Sequence, residues 1–305
     1  MEIINHYDAH CMQTEIAATI GFFDGVHAGH RFLIEQLKAL ANGLPSHAIT
    51  FWQHPQITLQ NGYNPFLLTT LDEKLYQLST TGIDYCLLMD FTQSLSELSA
   101  GDFIRNVLRK QLQVRTLLIG YDHRFGKNRT ESFPDYVRYG KECGMDVLQA
   151  MELPDATVHI SSTQIRNSLS KKQIAEANRM LSYSYTLHGK VIPGNQLGRQ
   201  IGFPTANLEV EKTKMIPGEG IYAVWVYWEN NQLPGMAYIG YRPSVSSFGE
   251  RRIEVHLLDF SGDLYGKTLR LEFIKFLRDD QYFGSLEELS RQLSLDKENT
   301  VKALR

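Results

Sequence analysis

The feature that most constrains the fold is a change of period along the chain. Up to about residue 183, short apolar runs alternate with stretches of helical spacing. Beyond it the runs are aromatic and β-branched, and apolar residues recur at every second position. A helix repeats every 3.6 residues and a strand every two, so one packing scheme cannot serve both stretches. Residues 16–20 (IAATI), 47–51 (HAITF), 83–91 (IDYCLLMDF) and 114–119 (VRTLLI) read as buried strands. Between them, Phe32, Leu33, Leu37 and Leu40 recur at helical spacing before Gly43. Thr70-x-x-Glu73 is a capping box ahead of Leu71, Leu75 and Leu78, with Gly82 beyond. Ser99-x-x-Asp102 starts a helix with Phe103, Val107 and Leu112 on one side, and Pro134 opens one that Gly144 ends. Strands alternating with helices predict a doubly wound α/β domain on a parallel sheet, with a ligand crevice at the carboxyl ends of its strands.

In the second stretch, residues 221–228 (IYAVWVYW), 252–260 (RIEVHLLDF) and 268–276 (TLRLEFIKF) read as strands. Asn230-Asn231 and Ser261-Gly262-Asp263 are turn signals. Ser285-x-x-Glu288 is a capping box before Leu286, Leu289 and Leu293. An antiparallel sheet or β-barrel with a C-terminal helix is therefore expected. The 305 residues accommodate two domains at roughly 150 each, divided as 1–183 and 184–305.

Composition narrows the function classes. Lys plus Arg total 31 against 34 Asp plus Glu, which excludes a broadly basic nucleic-acid coat. Cys11, Cys86 and Cys143 lie far apart with no C-x-x-C pair, which argues against a zinc site or a disulfide framework and fits a reducing compartment. No apolar run of about 18 residues exists, so no membrane span is expected. The opening MEIINHYDAH lacks a basic region followed by an apolar stretch, so no secretory leader is expected. The expectation is a cytoplasmic protein with small-molecule partners, no nucleic acid and no membrane, as a monomer or weak homo-oligomer.

Three constellations carry chemistry. GFFDGVHAGH (21–30) follows the first strand and opens the first helix. Gly21, Phe22, Phe23 and Asp24 lie in the loop, and His27 and His30 share a face three residues apart across Gly29. Free N–H groups and the partial positive charge of the helix start make a phosphate site, with two imidazoles beside it. The ligand expected is a nucleoside triphosphate, the histidines steadying charge on a departing pyrophosphate. The competing reading is a tight turn with two surface histidines. ISSTQIR (160–166) starts another helix, where Ser161, Ser162 and Thr163 offer hydroxyls and Arg166 a guanidinium in the first turn. Alone it is better read as an N-cap with a surface ion pair. Beside the first constellation it could hold the same triphosphate from a second side.

GKVIPGNQLGRQIGFPTAN (189–207) is the third. Gly194, Gly198 and Gly202 let backbone N–H groups wrap phosphates, and Arg199 adds a cation. Pro204 favours an extended backbone at Phe203, presenting Thr205 and Asn207 as hard oxygen ligands for Mg²⁺. The competing reading is a glycine-rich hairpin loop without a ligand. Glu254 alternates onto one strand face with His256 and Leu258, and is either a general base or a strand glutamate paired to Arg252. His256 reads as a structural neighbour.

The first two constellations together resemble the adenylyltransferase half of bacterial bifunctional riboflavin kinase/FAD synthetase. GYDHRFGKNR (120–129) is similar to that family's Gly-x-Asp-Phe-Arg-Phe-Gly stretch, with His123 in place of Phe and Thr130-Glu131 where a Gly is usual. GRQIGFPTAN resembles the flavokinase signature, and the likeness runs on through PGEGIYA (217–223), RRIEVHLLDF (251–260), GDLYGK (262–267) and FLRDDQYFGSLEEL (276–289). The resemblance implies an N-terminal nucleotidylyltransferase domain of the H-x-G-H type and a C-terminal riboflavin kinase barrel. It implies that ATP phosphorylates riboflavin to FMN and that FMN phosphate attacks the α-phosphorus of ATP, giving FAD and pyrophosphate. It assigns the base role to Glu254. His54, Asp122 and Arg124 become candidates for FMN contact, and the 52–69 loop with Trp52 and His54 could cover the FMN ring or be a plain surface loop. Tyr238 and Arg278 become candidates for flavin contact in the kinase. Tyr238-Ile239-Gly240-Tyr241-Arg242-Pro243-Ser244 departs from the family's Asn-Ile-Gly-x-Arg-Pro-Thr at its first and last positions, and Asp280 stands where the family has Glu. A protein with one active half, or a nucleotide sensor joined to an interaction module, are the alternatives left open. A transferase of the aminoacyl-tRNA synthetase type would need a basic surface that is not evident.

Overall fold

Residues Ile16–Ile20 are buried at every position, as a strand covered on both faces must be. The structure is a computed structural model. It describes residues 1–4, 14–54, 65–127, 130–154, 160–194, 197–241 and 251–305. Cys11, most of the 52–69 loop, Asn128-Arg129 and Arg242-Pro243-Ser244 lie outside the described residues. The chain forms two compact units, Met1–Ser161 and Ser162–Arg305.

In the first unit the elements run β1 (Glu2–Ile4), β2 (Ile16–Ile20), α1 (Ala28–Leu40), β3 (Ser46–Phe51), α2 (Leu71–Ser79), β4 (Tyr85–Met89), α3 (Ala100–Asp102, continued by Phe103–Gln111), β5 (Val114–Ile119), α4 (Phe133–Glu142) and β6 (Asp146–Gln149). The strands form one sheet in the order β1-β4-β3-β2-β5-β6, every pair parallel. Alternate residues of β2 feed two cores. Ile16, Ala18 and Ile20 pack with Phe103, Ile104 and Tyr136 on one face, and Ala17 packs with Ile34, Leu37 and Leu78 on the other. This is the doubly wound arrangement expected from the period. The order reverses between β2 and β5, so the loop after β2 opens at the switch point where such folds bind ligands.

The Thr70 capping box forms in both directions. Phe103–Gln111 winds with i→i+5 bonds, Leu112 N–H donating to Val107 O at 3.0 Å. Spacings of four and five residues therefore keep Phe103, Val107 and Leu112 together. Two strands lie beyond the four read from the sequence. β1 is three residues long and β6 is mostly exposed, so neither edge strand carries a buried-run signal.

The second unit begins with α5 (Ser162–Ser170) and α6 (Ile174–Leu181). There follow β7 (Thr186–Ile192), β8 (Ala206–Val210), β9 (Gly220–Trp228), β10 (Asn231–Tyr241), β11 (Arg251–Leu257), β12 (Thr268–Arg278) and α7 (Leu286–Ala303). The strands close into an antiparallel barrel in the order β10-β11-β8-β7-β12-β9. The packing boundary falls at Ser161/Ser162 rather than near residue 183, because α5 and α6 hydrogen-bond to this unit. Asn178 donates to Phe273 O at 2.8 Å and accepts from Tyr185 N at 2.8 Å. Gly218 N donates to Leu169 O at 2.9 Å.

Some local readings shift. The hairpin turn is Glu229-Asn230, with Glu229 at φ 51, and Asn231 already belongs to β10. β11 ends at Leu257, because Asp259 turns at φ 56. Only half of the Ser285 box forms: Ser285 Oγ accepts from Glu288 N, while Glu288 accepts from Gly284 N at 3.0 Å. β10 carries no clear strand signal in the sequence, because Pro234, Gly235 and Gly240 interrupt it. A Cβ on Gly235 would stand 2.6 Å from Val226 Cγ2, so the barrel wall needs glycine there.

Candidate active sites

The loop after β2 is tightly held. Phe23 and Val26 sit at φ 55 and φ 38, backbone values that side chains rarely adopt, least of all β-branched ones. Strain of this kind persists where surroundings over-determine it. The buried Asp24 carboxylate does so, accepting from Leu68 N at 2.9 Å and Thr69 N at 3.2 Å. Gly25 N donates to Thr69 Oγ1 at 3.1 Å. Asp24 is thus the loop's anchor to the segment before α2. Phe23 is buried beneath Gly21, where a Cβ would meet its ring at 3.2 Å.

His27 is the N-cap of α1 rather than part of its first turn. Its Nδ1 accepts from His30 N at 3.4 Å. The two imidazoles still meet: their rings stack at 3.7 Å, tilted by 17°. Gly29 makes room for this, since a Cβ there would stand 3.3 Å from His27 Nδ1. His30 Nδ1 is buried and has no hydrogen-bond partner among the described residues. Burial holds His30 well below the usual imidazole range, and His27 and His123 push the same way. His123 therefore joins the electrostatics of this cluster. An anionic ligand would reverse the balance and favour the protonated ring.

Phe22 is flanked by two groups at the ends of β2 and β3. His54 meets its ring edge-on at 4.5 Å, and the Lys74 ammonium lies 4.4 Å from its centroid. Lys74 is buried on α2 and donates to Phe51 O at 2.8 Å, Thr50 Oγ1 at 3.3 Å and Phe22 O at 3.4 Å. Burial lowers its pKa to about 8, against the opposing influence of Cys86 and Asp24. In the sequence this lysine looks like an ordinary capping-box neighbour. Asp122 and Arg124 line a cavity of about 260 Å³ after β5, with His123, Phe133 and Tyr136. Both lie at the carboxyl end of the sheet, as the predicted crevice requires.

Ser161 precedes α5, and Ser162 and Thr163 begin it. Arg166 is half-buried in the second turn of that helix rather than the first.

In the barrel, register builds a row. Asn207 on β8, Glu254 on β11 and Tyr238 on β10 are successive cross-strand partners and share one face. Glu254 Oε2 accepts from Thr205 Oγ1 at 2.9 Å, and Oε1 accepts from Arg252 at 2.8 Å. The Arg252 pair expected of a structural glutamate is present, and the Thr205 hydroxyl takes the other oxygen. His256 Nδ1 lies 2.7 Å from Pro204 O and its ring meets Phe203, so it braces the GFPTAN segment. Gly194 packs against Asn207, whose amide nitrogen would lie 2.0 Å from an added Cβ. Gly198 would collide with Phe203 O at 2.1 Å, and Gly202 turns at φ 79. These glycines fold the loop back onto the row.

A cavity of about 360 Å³ opens beside it, lined by Arg199, Thr205, Phe260, Leu264 and Tyr265 among others. The aromatic and apolar lining was not singled out from the sequence, although GDLYGK pointed to the segment. Arg278 is committed elsewhere. It makes three N–H···O bonds of 2.7–3.0 Å to the buried Asp296 of α7 and a fourth to Asp279 O. Any flavin contact by Arg278 must come from the outer edge of its guanidinium.

Comparison with known proteins places both halves. The family described as FAD synthetase matches residues 10–164, and the family described as riboflavin kinase matches residues 181–304. The bifunctional riboflavin kinase/FMN adenylyltransferase of Escherichia coli K12 is 38% identical over 282 residues, covering 92% of this chain and 90% of that protein. The protein of the same name from Listeria monocytogenes is 36% identical over 284 residues, with the same shares covered. A solved structure from Streptococcus pneumoniae, described as a macrolide-efflux protein, is similar with a TM-score of 0.89 and 29% identity, over 98% of this chain and 99% of that one. The chain belongs to the bifunctional riboflavin kinase/FMN adenylyltransferase family.

Proposed function

We propose that the second unit's barrel phosphorylates riboflavin to FMN and that the parallel-sheet unit adenylylates FMN to FAD and pyrophosphate, with a functional division near residue 183. ATP is the co-substrate of both steps, and FMN and FAD are products. One observation carries the division of labour. The first unit brings two imidazoles together at the start of α1, whereas the barrel sets the Glu254 carboxylate in its cross-strand row with Thr205 and Arg252 on its oxygens.

In the kinase, Glu254 accepts the proton of riboflavin's 5′-hydroxyl as that oxygen attacks the γ-phosphorus. Arg252 and Thr205 fix the carboxylate's orientation. Gly194, Gly198, Gly202, Arg199 and Pro204 form the phosphate loop. Among the described residues no three His, Cys, Asp or Glu side chains gather as a metal site. The hydroxyl of Thr205 and the amide of Asn207 are hard oxygen donors on the base-bearing side and fit Mg²⁺, which binds few protein ligands and keeps water or phosphate for the rest. When bound, Mg²⁺ would neutralise charge on the ATP phosphates.

In the adenylyltransferase, the FMN phosphate is already an ionised nucleophile, so no enzyme base is needed. The α1 start, His27 and His30 stabilise charge on the leaving pyrophosphate. Asp24 and Phe23 hold the loop in shape. Ser161, Ser162, Thr163 and Arg166 at the start of α5 offer hydroxyls and a guanidinium for ATP phosphates, and His54, Asp122 and Arg124 are the FMN contacts. No described helix is long and apolar enough to cross a membrane. We place the enzyme in the cytoplasm, as a monomer or weak homo-oligomer acting on small flavins.

The test is incubation with riboflavin, ATP and Mg²⁺, followed by chromatographic separation of flavins. FMN and then FAD should accumulate. Absence of both would remove the catalytic reading, and arrest at FMN would leave only the kinase.

A further inference from the structure

Two side chains 42 positions apart along the chain, Tyr238 and Asp280, touch each other. Tyr238 Oη donates to Asp280 Oδ2 at 2.8 Å. Tyr238 is the register partner of Glu254, so its ring starts from the base-bearing face. The ring leans along β10 over Gly240, where an added Cβ would stand 2.0 Å from the phenol oxygen. Asp280 lies just past the end of β12, in the segment joining it to α7. That segment is fastened at one end by the Arg278–Asp296 bonds and by the Lys172–Asp279 ion pair. At the other end it is fastened by the Gly284–Glu288 bond. Between them, Tyr282 is 96% exposed. Between the two fastenings both Asp280 oxygens are engaged: Oδ1 accepts from the adjacent Gln281 N at 2.9 Å, and Oδ2 accepts from Tyr238 on β10.

We propose that Tyr238 and Asp280 form a latch that holds the 279–283 segment against the base-bearing face of the barrel and sets the affinity for riboflavin. This rests on the placement of the kinase site around Glu254. The chemistry suits a latch. A hydroxyl donating to a carboxylate is a charge-assisted bond, stronger than a neutral one. Burial and the neighbouring Asp280 and Glu254 carboxylates push the phenol pKa upward, so Tyr238 remains a protonated donor. It therefore does not compete with Glu254 for the substrate proton. Tyr238 and Asp280 are positioning residues: they act through the segment they hold, not on the reacting atoms.

A double-mutant cycle on the full chain tests this. Tyr238→Phe keeps the ring and removes the donor, and Asp280→Asn weakens the acceptor. Each should raise KM for riboflavin about tenfold, with kcat within about twofold. The double variant should be no worse than the poorer single, because both lesions break one bond. The retained kcat for riboflavin phosphorylation reports that the barrel of each variant folds. Unchanged KM in Tyr238→Phe, additive KM effects in the double variant, or loss of kcat at constant KM would each overturn the latch. Glu254→Gln is assayed alongside. If it retained kcat, the site placement would fail, whatever the KM cycle gave.

Discussion

The candidate sites of the two units are built from different materials. The parallel sheet brings together, at its candidate site, a helix start, two stacked imidazoles and a strained loop pinned by buried Asp24. The barrel sets Asn207 beside Glu254 by register at its candidate site, with Thr205 and Arg252 on the carboxylate. The nucleophiles account for the difference. An FMN phosphate arrives ionised, so adenylyl transfer asks only for orientation and charge stabilisation. A ribityl hydroxyl must lose a proton, so phosphorylation asks for a base. The folds suit these needs. Parallel strands end together beside helix starts, which stabilise anions. Antiparallel register sets side chains from neighbouring strands beside one another on a surface that can seat a base.

The sharpest way to break this comparison is Glu254→Gln. Riboflavin phosphorylation should fall by about 10²–10⁴, with FMN-to-FAD conversion intact, in separate assays of the two half-reactions. A comparable loss in both would show that the carboxylate serves the fold rather than the proton. Replacing His27 and His30 together by Ala should lower FAD formation by about 10²–10³ and spare the kinase.

Next is the buried lysine beneath the first site. The folded pKa of Lys74, about 8, lies below its ordinary value of 10.5. Between those values the unfolded chain holds the extra proton, so this group's contribution to stability rises with pH across that window. Below pH 8 its burial costs on the order of 3 kcal/mol. Lys74→Met should flatten the rise in unfolding free energy of the first unit between pH 7 and pH 10, followed by urea denaturation. An equal rise in both proteins would show that other groups carry it. The smallest effect expected is from Arg166→Ala, which should raise KM for ATP about tenfold in FAD synthesis alone. An equal change in the kinase would detach Arg166 from the adenylyltransferase.

Legibility in the sequence followed burial and periodicity. β2, β3 and the Thr70 capping box could be read because their signals are local: continuous apolar runs and a four-residue motif. β10 could not, because Pro234, Gly235 and Gly240 mask a strand whose reason is tertiary, the close approach of Val226. The H-x-G-H pair and Glu254 were visible as residue types in a pattern. Their neighbours were not. Lys74 reaches Phe51 O, and His123 influences His30, only because separate strands end at the same place. Arg278 is a candidate flavin contact by motif, and only the fold shows its guanidinium donating three hydrogen bonds to Asp296, eighteen positions along the chain.

The sequence by itself determined the two architectures, their order and the motifs that name the chemistry, because helix and strand periods and short catalytic strings are local properties. Tertiary structure alone decided which side chains meet. It stacked His27 on His30 as an N-cap, set Glu254 between Thr205 and Arg252, and joined Tyr238 to Asp280 across the barrel wall. Register, crossover order and close packing fix those contacts, and each depends on residues far apart along the chain.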